Sequence, residues 1–273
     1  MSDRITVAAA RDIVGEPVRD KEGKDLGSVE YLMIGVNDGQ VRYAIVEPAS
    51  GTDDQLVPVP WNAVHSSGTA TDRKLTIDRE RFGKQQKISE DKIGDLTQPA
   101  MVTSIYEYWA PVAQQGQAQE SQAKTGKQKE SGKEAGAAQR SPHFLVGRDV
   151  ITTVLAPSLR TTGEIRGSEV YSADKQEYGE IDGVIIDIDR GRIAYLQIGH
   201  GGFLGLGEEI TPVPYEALSY DHERNAYRLG KSEAELEKIQ SFARGDQPSW
   251  IKAADLSKLY KDFGVQPYWQ EKT

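Results

Sequence analysis

The chain has no cysteine among its 273 residues. This absence excludes a disulfide framework, a thiol nucleophile and any zinc or iron–sulfur site built on thiolates. No apolar run approaches the roughly 20 residues that a membrane-spanning helix needs, and Met1–Ile5 has no apolar segment of the signal-peptide type. We therefore expect a cytoplasmic protein without a membrane span, or a periplasmic one if a leader precedes this sequence.

Basic residues are the minority among the charged ones. The chain has 33 Lys+Arg against 42 Asp+Glu, a net charge of −9. Because nonspecific nucleic-acid binding relies on Lys and Arg at phosphates, we expect no direct nucleic-acid contact. The apolar content of 37% and aromatic content of 8% suffice for packed cores and argue against full disorder.

Large apolar residues are missing from residues 113–142, which are mostly Gln, Ala, Gly, Ser, Lys and Glu. Such a segment buries too little surface to offset its ordering entropy. We predict a flexible linker there, between a first domain at 1–112 and a second at 143–273. Both domains are net acidic, and the linker is slightly basic.

The two halves repeat each other at a shift of 152 positions. After a loop two residues longer in the second copy, Pro58–Trp61 matches Pro212–Tyr215. Three glycines and a Pro-x-Pro-aromatic motif in register indicate an internal duplication. The identical pairs are Gly15/Gly167, Val18/Val170, Gly27/Gly179, Ile34/Ile186, Gly39/Gly191 and Tyr43/Tyr195.

Each repeat carries alternating apolar positions around a turn. Residues 32–36 and 184–188 alternate, and Asn37–Gly39 and Asp189–Gly191 follow as turn sequences. The pattern predicts a hairpin in each repeat, preceded by a short strand at Val18 or Val170. Gly27 and Gly179 open the first hairpin strand, where we expect a bulge or a close backbone approach.

Pro58 and Pro60 flank Val59 and lack N–H donors, which predicts an edge strand or a bulge. Five or six short strands with tight turns favour a small antiparallel barrel. The predicted fold class is mainly β with appended helices. It consists of two small antiparallel barrels, each followed by helical segments, joined by the linker.

Helical patterns follow each barrel. Ser232–Glu235 is a capping-box sequence that predicts a helix through Leu236 and Ile239 to Phe242. Residues 256–263 have apolar side chains at helical spacing before Gly264, which predicts a second helix. Residues 89–96 form a weaker counterpart of the first of these helices in the first half.

These motifs resemble the PRC-barrel domain over residues 11–80 and 165–230. The second copy is similar to a bacterial subset that carries a Gly-Gly-Phe-Leu-Gly loop, here at Gly201–Gly205. The first copy lacks that loop. The motifs that carry the resemblance are Gly15-x-x-Val18, Asp20-x-x-Gly23-x-x-x-Gly27-x-Val29 and Val57–Trp61 in the first copy, and Tyr178–Ile181, Gly201–Glu208 and Val213–Tyr215 in the second.

The resemblance implies a small β-barrel used mainly as a protein-interaction module. Relatives include the cytoplasmic domain of the photosynthetic reaction-centre H subunit and the C-terminal domain of a ribosome maturation factor that binds a ribosomal protein. Neither specific function transfers, because the membrane anchor of the first and the N-terminal barrel of the second are not present in this sequence. The family has no common catalytic site.

No sequence pattern predicts a catalytic, cofactor or metal site. His65, His143, His200 and His222 are isolated from one another. Asp187–Gly191 lacks the third oxygen ligand and the later bidentate Glu of a calcium loop and is better explained as a hairpin turn. The glycine-dense stretch before Glu208 lacks the Lys-Ser/Thr of a phosphate-binding loop.

The sequence therefore favours a non-enzymatic adaptor whose two modules on one flexible chain would gain avidity for an unknown protein partner. Phe203 and Leu204 either pack inward or form an exposed anchor, and the strands at Val59 and Val213 offer an edge for strand addition. The candidate interaction residues are Phe203, Leu204, Val59, Val213, Trp61 and Tyr215.

Two other functions and the oligomeric state stay open. One is a small-molecule-binding protein with a site between the barrels, near Tyr195, Tyr215 and Trp61. The other is a ribosome-assembly-type factor that docks a basic protein. A homo-oligomer is compatible with either reading.

Overall fold

The computed structural model describes residues 5–50, 55–68, 72–110, 158–202, 207–246 and 253–270. The chain is mainly β, with two sheets and a few helices. The predicted linker at 113–142 and the loop residues Phe203 and Leu204 lie outside the described residues.

The first repeat contains seven short or medium strands among its described residues. They are β1 (Val7–Ala9), β2 (Pro17–Arg19), β3 (Asp25–Gly35), β4 (Val41–Pro48), β5 (Val57–Pro60), β6 (His65–Gly68) and β7 (Arg73–Thr76). Its helices are α1 (Ala10–Ile13), α2 (Arg79–Lys84) and α3 (99–110), with 3-10 turns at Trp61–Ala63 and Glu90–Thr97.

The second repeat follows the same order. Its strands are β8 (Leu159–Thr161), β9 (Glu169–Tyr171), β10 (Glu177–Asp187), β11 (Arg192–His200), β12 (Glu209–Pro214), β13 (Leu218–Asp221), β14 (Ala226–Leu229) and β15 (Phe242–Ala243). Its helices are α4 (Thr162–Ile165), α5 (Glu233–Leu236) and α6 (Ala253–Phe263), with 3-10 turns at Tyr215–Ala217 and Tyr268–Gln270.

The two sheets have the same strand order. The first runs β5-β4-β3-β2-β7-β6, and the second runs β12-β11-β10-β9-β14-β13, with β15 added beside β12. The predicted hairpins are therefore confirmed as β3–β4 and β10–β11. Closure of each sheet into a barrel stays a prediction.

Gly27 and Gly179 lie where neighbouring strands approach closely, as the sequence predicts. A Cβ at Gly27 would overlap the carbonyl of Glu47, and one at Gly179 would overlap the carbonyl of Gly199. The β10 ladder to β9 also shifts register between Glu177 and Gly179, which marks a bulge. Glycine is required at both positions because no side chain fits.

The first strand of each repeat pairs with the sheet of the other repeat. β1 runs antiparallel to the end of β10, with Ala8 opposite Ile186. Reciprocally, β8 runs antiparallel to the end of β3, with Arg160 opposite Ile34. The repeats thus exchange strands, and their buried apolar side chains form one continuous core.

The duplication extends to the C-terminal helices. The Tyr106 hydroxyl on α3 donates to the Arg42 carbonyl at 3.3 Å, and the Tyr260 hydroxyl on α6 lies 2.8 Å from the carbonyl of Ala194. Arg42 and Ala194 are equivalent at the 152-residue shift, so α3 and α6 occupy equivalent places. Their buried side chains are Val102, Ile105, Tyr106 and Trp109 on α3, and Leu256, Leu259, Tyr260 and Phe263 on α6.

Two helix predictions need correction. The capping box at Ser232 and Glu235 is present, but the helix it starts ends at Leu236, and Phe242 lies in β15. Residues 90–97 form 3-10 turns, and the counterpart of α5 is α2, which begins after the N-cap Asp78. Helical spacing misled here because Phe242 is only partly buried and pairs with Ile210 on β12.

Strand exchange predicts that the repeats stay associated when the connection between them is cut. We expect a chain carrying a specific protease site within residues 113–142 to elute, after cleavage, as one species with the mass of the uncleaved chain. The reason is that each half supplies a strand to the other sheet. Gel filtration with light scattering at micromolar concentration tests this, and separate elution of the halves would contradict it.

Candidate interaction surface

Trp61 and Tyr215 hold the two repeats together. Each follows the Pro-Val-Pro segment of its own repeat and reaches the hairpin of the other. Trp61 Nε1 donates to the Ile188 carbonyl at 3.3 Å, and the Tyr215 hydroxyl donates to the Val36 carbonyl at 2.6 Å. Val36 and Ile188 are themselves equivalent, so the two contacts are related by an approximate twofold axis.

The hairpin turns meet between these two rings. The Val41 N–H donates to Gly191 O, and the Ile193 N–H donates to Gly39 O, both at 2.8 Å. Gly39 lies under the Tyr215 ring, and Gly191 lies under the indole of Trp61. Any larger residue at either glycine would separate the turn from the ring that covers it.

The structure places four of the six predicted interaction residues inside the molecule. Val59 and Val213 are fully buried, and Trp61 and Tyr215 are only 8% and 5% exposed. Within this chain these side chains pack in the core or between the repeats and present no open surface. Phe203 and Leu204, the remaining two, lie outside the described residues.

The outer edge of β5 lacks donors at its two prolines. Among the strands that the structure describes, β5 pairs with β4 alone, with Val59 opposite Ala44. Since alternate residues of a strand point their N–H groups to opposite sides, Val57 and Val59 donate to β4 and the nitrogens of Pro58 and Pro60 face the edge. This edge is poorly suited to accept a partner strand, because it has carbonyls without the matching N–H groups.

The described flanks of the Phe203–Leu204 loop show how it leaves the sheet. Gly201 and Gly202 have φ of 67° and 79°, and Gly207 has φ of 76°. Residues with side chains rarely adopt this left-handed conformation. The glycines therefore turn the chain out of β11 and back into β12.

A polar cluster lies at the base of this loop. The His200 ring stacks on Tyr178 with centroids 4.6 Å apart. His200 Nε2 and the Tyr178 hydroxyl both lie near Thr211 Oγ1, at 2.7 and 3.1 Å. Burial lowers the pKa of His200, and the nearby Glu209 and Glu208 oppose that shift only in part.

An ion-pair clamp closes the other side of the loop base. Arg244 on the segment after β15 contacts Glu208 through two nitrogens, at 2.5 and 2.7 Å, and contacts Asp182 at 3.0 Å. The Arg244 hydrogen bonds lower the pKa of the Glu208 carboxyl. Through Arg244, Glu208 is thus linked to Asp182 on β10 and to the segment after β15.

The first repeat has apolar residues at the positions of this polar cluster. Leu26, Pro48 and Val57 are equivalent to Tyr178, His200 and Thr211 in the superposed pairings of β3, β4 and β5 with β10, β11 and β12. The Gly-rich loop and the polar cluster beneath it therefore belong to the second repeat alone. Sequence reasoning missed the cluster, although an in-register comparison of the two copies finds it.

A shallow recess of about 560 Å³ lies between α5 and α6. Lys231, Lys238 and Lys258 line it together with Ile239. Pockets for small organic ligands are mostly apolar and enclosed, so this recess does not favour the small-molecule alternative. No group of three His, Asp or Glu side chains suited to a metal ion occurs in the described parts of the chain.

The profile of the PRC-barrel domain matches residues 5–79 and 161–236. The chain belongs to the PRC-barrel family. Two matches in one chain confirm the tandem arrangement that the sequence resemblance implies. A comparison with curated proteins found no match, and none of the helices described here is long and apolar enough to cross a membrane.

Substitution of Gly191 tests the contact between the PRC-barrel repeats. Gly191→Ala would place a Cβ 2.6 Å from Trp61 Nε1, and the residue also has φ of 60°. We expect a loss of about 3 kcal/mol in the free energy of unfolding, from backbone strain and overpacking together. Denaturant unfolding measures it.

Gly167→Ala is the matched control. Gly167 has φ of 75°, but a Cβ there meets nothing within 4 Å. We expect this variant to lose only the backbone part, about 1–2 kcal/mol. Equal losses in the two variants would show that the Trp61 contact contributes nothing.

The lowered pKa of His200 predicts a pH dependence of stability. Its neutral form is favoured in the folded state, so its contribution is present above the unfolded pKa of about 6.5 and is lost as pH falls through the folded pKa. We expect His200→Gln to weaken the decline of unfolding free energy between neutral and mildly acidic pH. His65→Gln, in the exposed start of β6, is the control, and identical pH profiles for the wild type and His200→Gln would contradict the expectation.

Proposed function

We propose that this protein is a non-enzymatic interaction protein that binds a partner protein through the Gly-rich loop of its second PRC-barrel repeat. The chain carries two PRC-barrel domains, and this module is often used for interaction. The observation that carries the proposal is the specialisation of one copy. Only the second repeat combines the Gly-rich loop with an ordered polar base.

The base gives the loop fixed ends. His200, Tyr178 and Thr211 order its start, and the Arg244 ion pairs with Glu208 and Asp182 order its end. A short loop on fixed ends loses less conformational entropy on binding than a loop on mobile ends. In this proposal Phe203 and Leu204 supply the apolar contacts to the partner, and the acidic residues of the described loop base supply the charged ones.

The acidic rim favours a basic partner. Glu208, Glu209 and Asp182 surround the loop base, and Arg244 balances them only in part. Rim charges raise the association rate and select partners of opposite sign. A protein with an apolar pocket bordered by Lys or Arg fits this arrangement.

Strand exchange changes what the two PRC-barrel repeats are expected to contribute to binding. Because each sheet includes a strand from the other repeat, the modules have a fixed relative position. The tandem arrangement then supports the loop on a larger rigid body. It does not supply two binding sites that move independently on a flexible connection, which the predicted gain in avidity requires.

Affinity purification with mass spectrometry tests the loop. We expect Phe203→Ser plus Leu204→Ser to remove the specific partner that the wild-type chain captures, because both apolar anchors are lost. Val14→Ser is the matched control, since Val14 is an exposed apolar side chain, at 36%, in the first repeat. Circular dichroism and thermal unfolding verify that both variants fold. Full retention of every partner by the folded loop variant would overturn the proposal.

A further inference from the structure

The contacts between the repeats occur in equivalent pairs. β1 on β10 matches β8 on β3, and the Trp61 contact to Ile188 matches the Tyr215 contact to Val36. Two backbone hydrogen bonds between the turns, Val41 to Gly191 and Ile193 to Gly39, form a further pair. This is the pattern of an isologous dimer interface within one chain.

An exchanged strand does not require that its acceptor belong to the same chain. β1 leaves its own repeat and ends on β10, and β8 ends on β3. If two chains trade repeats, the first repeat of one chain accepts β8 from the other and supplies β1 in return. Every contact just described then forms again, so the two arrangements differ mainly in the entropy of the connection.

We propose that the strand-exchange surface also binds a second copy of this chain, giving a dimer in which the two chains trade repeats. Residues 111–157 connect the described parts of the two repeats. The linker that the composition predicts at 113–142 has an r.m.s. span of about 30 Å. The corresponding effective concentration is on the order of millimolar.

The protein concentration relative to this effective concentration determines whether pairing within one chain or exchange between two chains prevails. Below it, pairing within one chain prevails, and the protein is a monomer. Near it, about half of the chains exchange repeats with another chain. Exchange requires the strands to leave their sheets, so a dimer formed at high concentration persists after dilution for the time that opening takes.

Joint refolding of two tagged chains tests the proposal. Full chains with different affinity tags are unfolded, mixed, refolded at about millimolar concentration, diluted and captured through one tag. We expect the second tag in the captured fraction, at the mass of two chains. Chains refolded separately and then mixed are expected to give no co-capture. Absence of the second tag after joint refolding would overturn the proposal, as would equal co-capture from folded chains.

Two variants identify the surface responsible. Ala8→Pro removes an N–H at the centre of β1, which makes no strand pairing within its own repeat. Because the monomer and the exchanged dimer both lose this contact, we expect the exchanged fraction at joint refolding to stay the same, but co-capture to decay several-fold faster after dilution, since the strands open more readily. Should Ala8→Pro not fold, Gly191→Ala against its control Gly167→Ala gives the same comparison at the Trp61 contact. Co-capture that decays no faster after dilution in the folded interface variants than in the wild type would assign the association to another surface and overturn the proposal.

Discussion

The contact of one aromatic ring with one glycine, made twice, determines the arrangement of this molecule. Trp61 covers Gly191, and Tyr215 covers Gly39. Each ring also donates a hydrogen bond to the residue that connects the preceding strand to the glycine turn. Because glycine has no side chain, the ring can approach the backbone of the turn. The ring then aligns the hairpins so that β1 and β8 reach the opposite sheets. Without this contact, the exchanged strands β1 and β8 would still join the repeats, but the two hairpins would lose their alignment.

Much of the fold within each repeat follows from local patterns. Alternating apolar residues at 32–36 and 184–188 predict the hairpins, because a half-buried strand has a period of two. Gly27 and Gly179 mark close strand approaches, and the Ser232 capping box marks the start of α5. These features depend on residues close in sequence. The register of the duplication adds the equivalence of the two sheets.

Local sequence patterns do not predict how the two repeats pack against each other. The local sequence of an aromatic residue after Pro-Val-Pro is the same whether its ring faces solvent, its own core or another repeat. The sequence therefore predicts Trp61 and Tyr215 as interaction residues without showing that their partner is the other repeat. β1 pairs with residues 176–180 positions away and β8 with residues 124–128 positions away, and no local sequence period indicates such pairs. The polar cluster at Tyr178, His200 and Thr211 was hidden because its members lie on three different strands. Comparison of the copies position by position is what separates it from the shared framework.

The prolines of β5 and β12 have an effect beyond the repeats themselves. A sheet edge with free N–H and C=O groups can add strands from other chains and so aggregate into fibres. Val57 and Val59 donate to β4, while Pro58 and Pro60 leave the outer edge of β5 without donors. Pro212 and Pro214 have the same effect on β12, beyond the two residues that pair with β15. The repeats of this protein already exchange strands with each other. The prolines prevent the outer edges from pairing in the same way with strands of further chains.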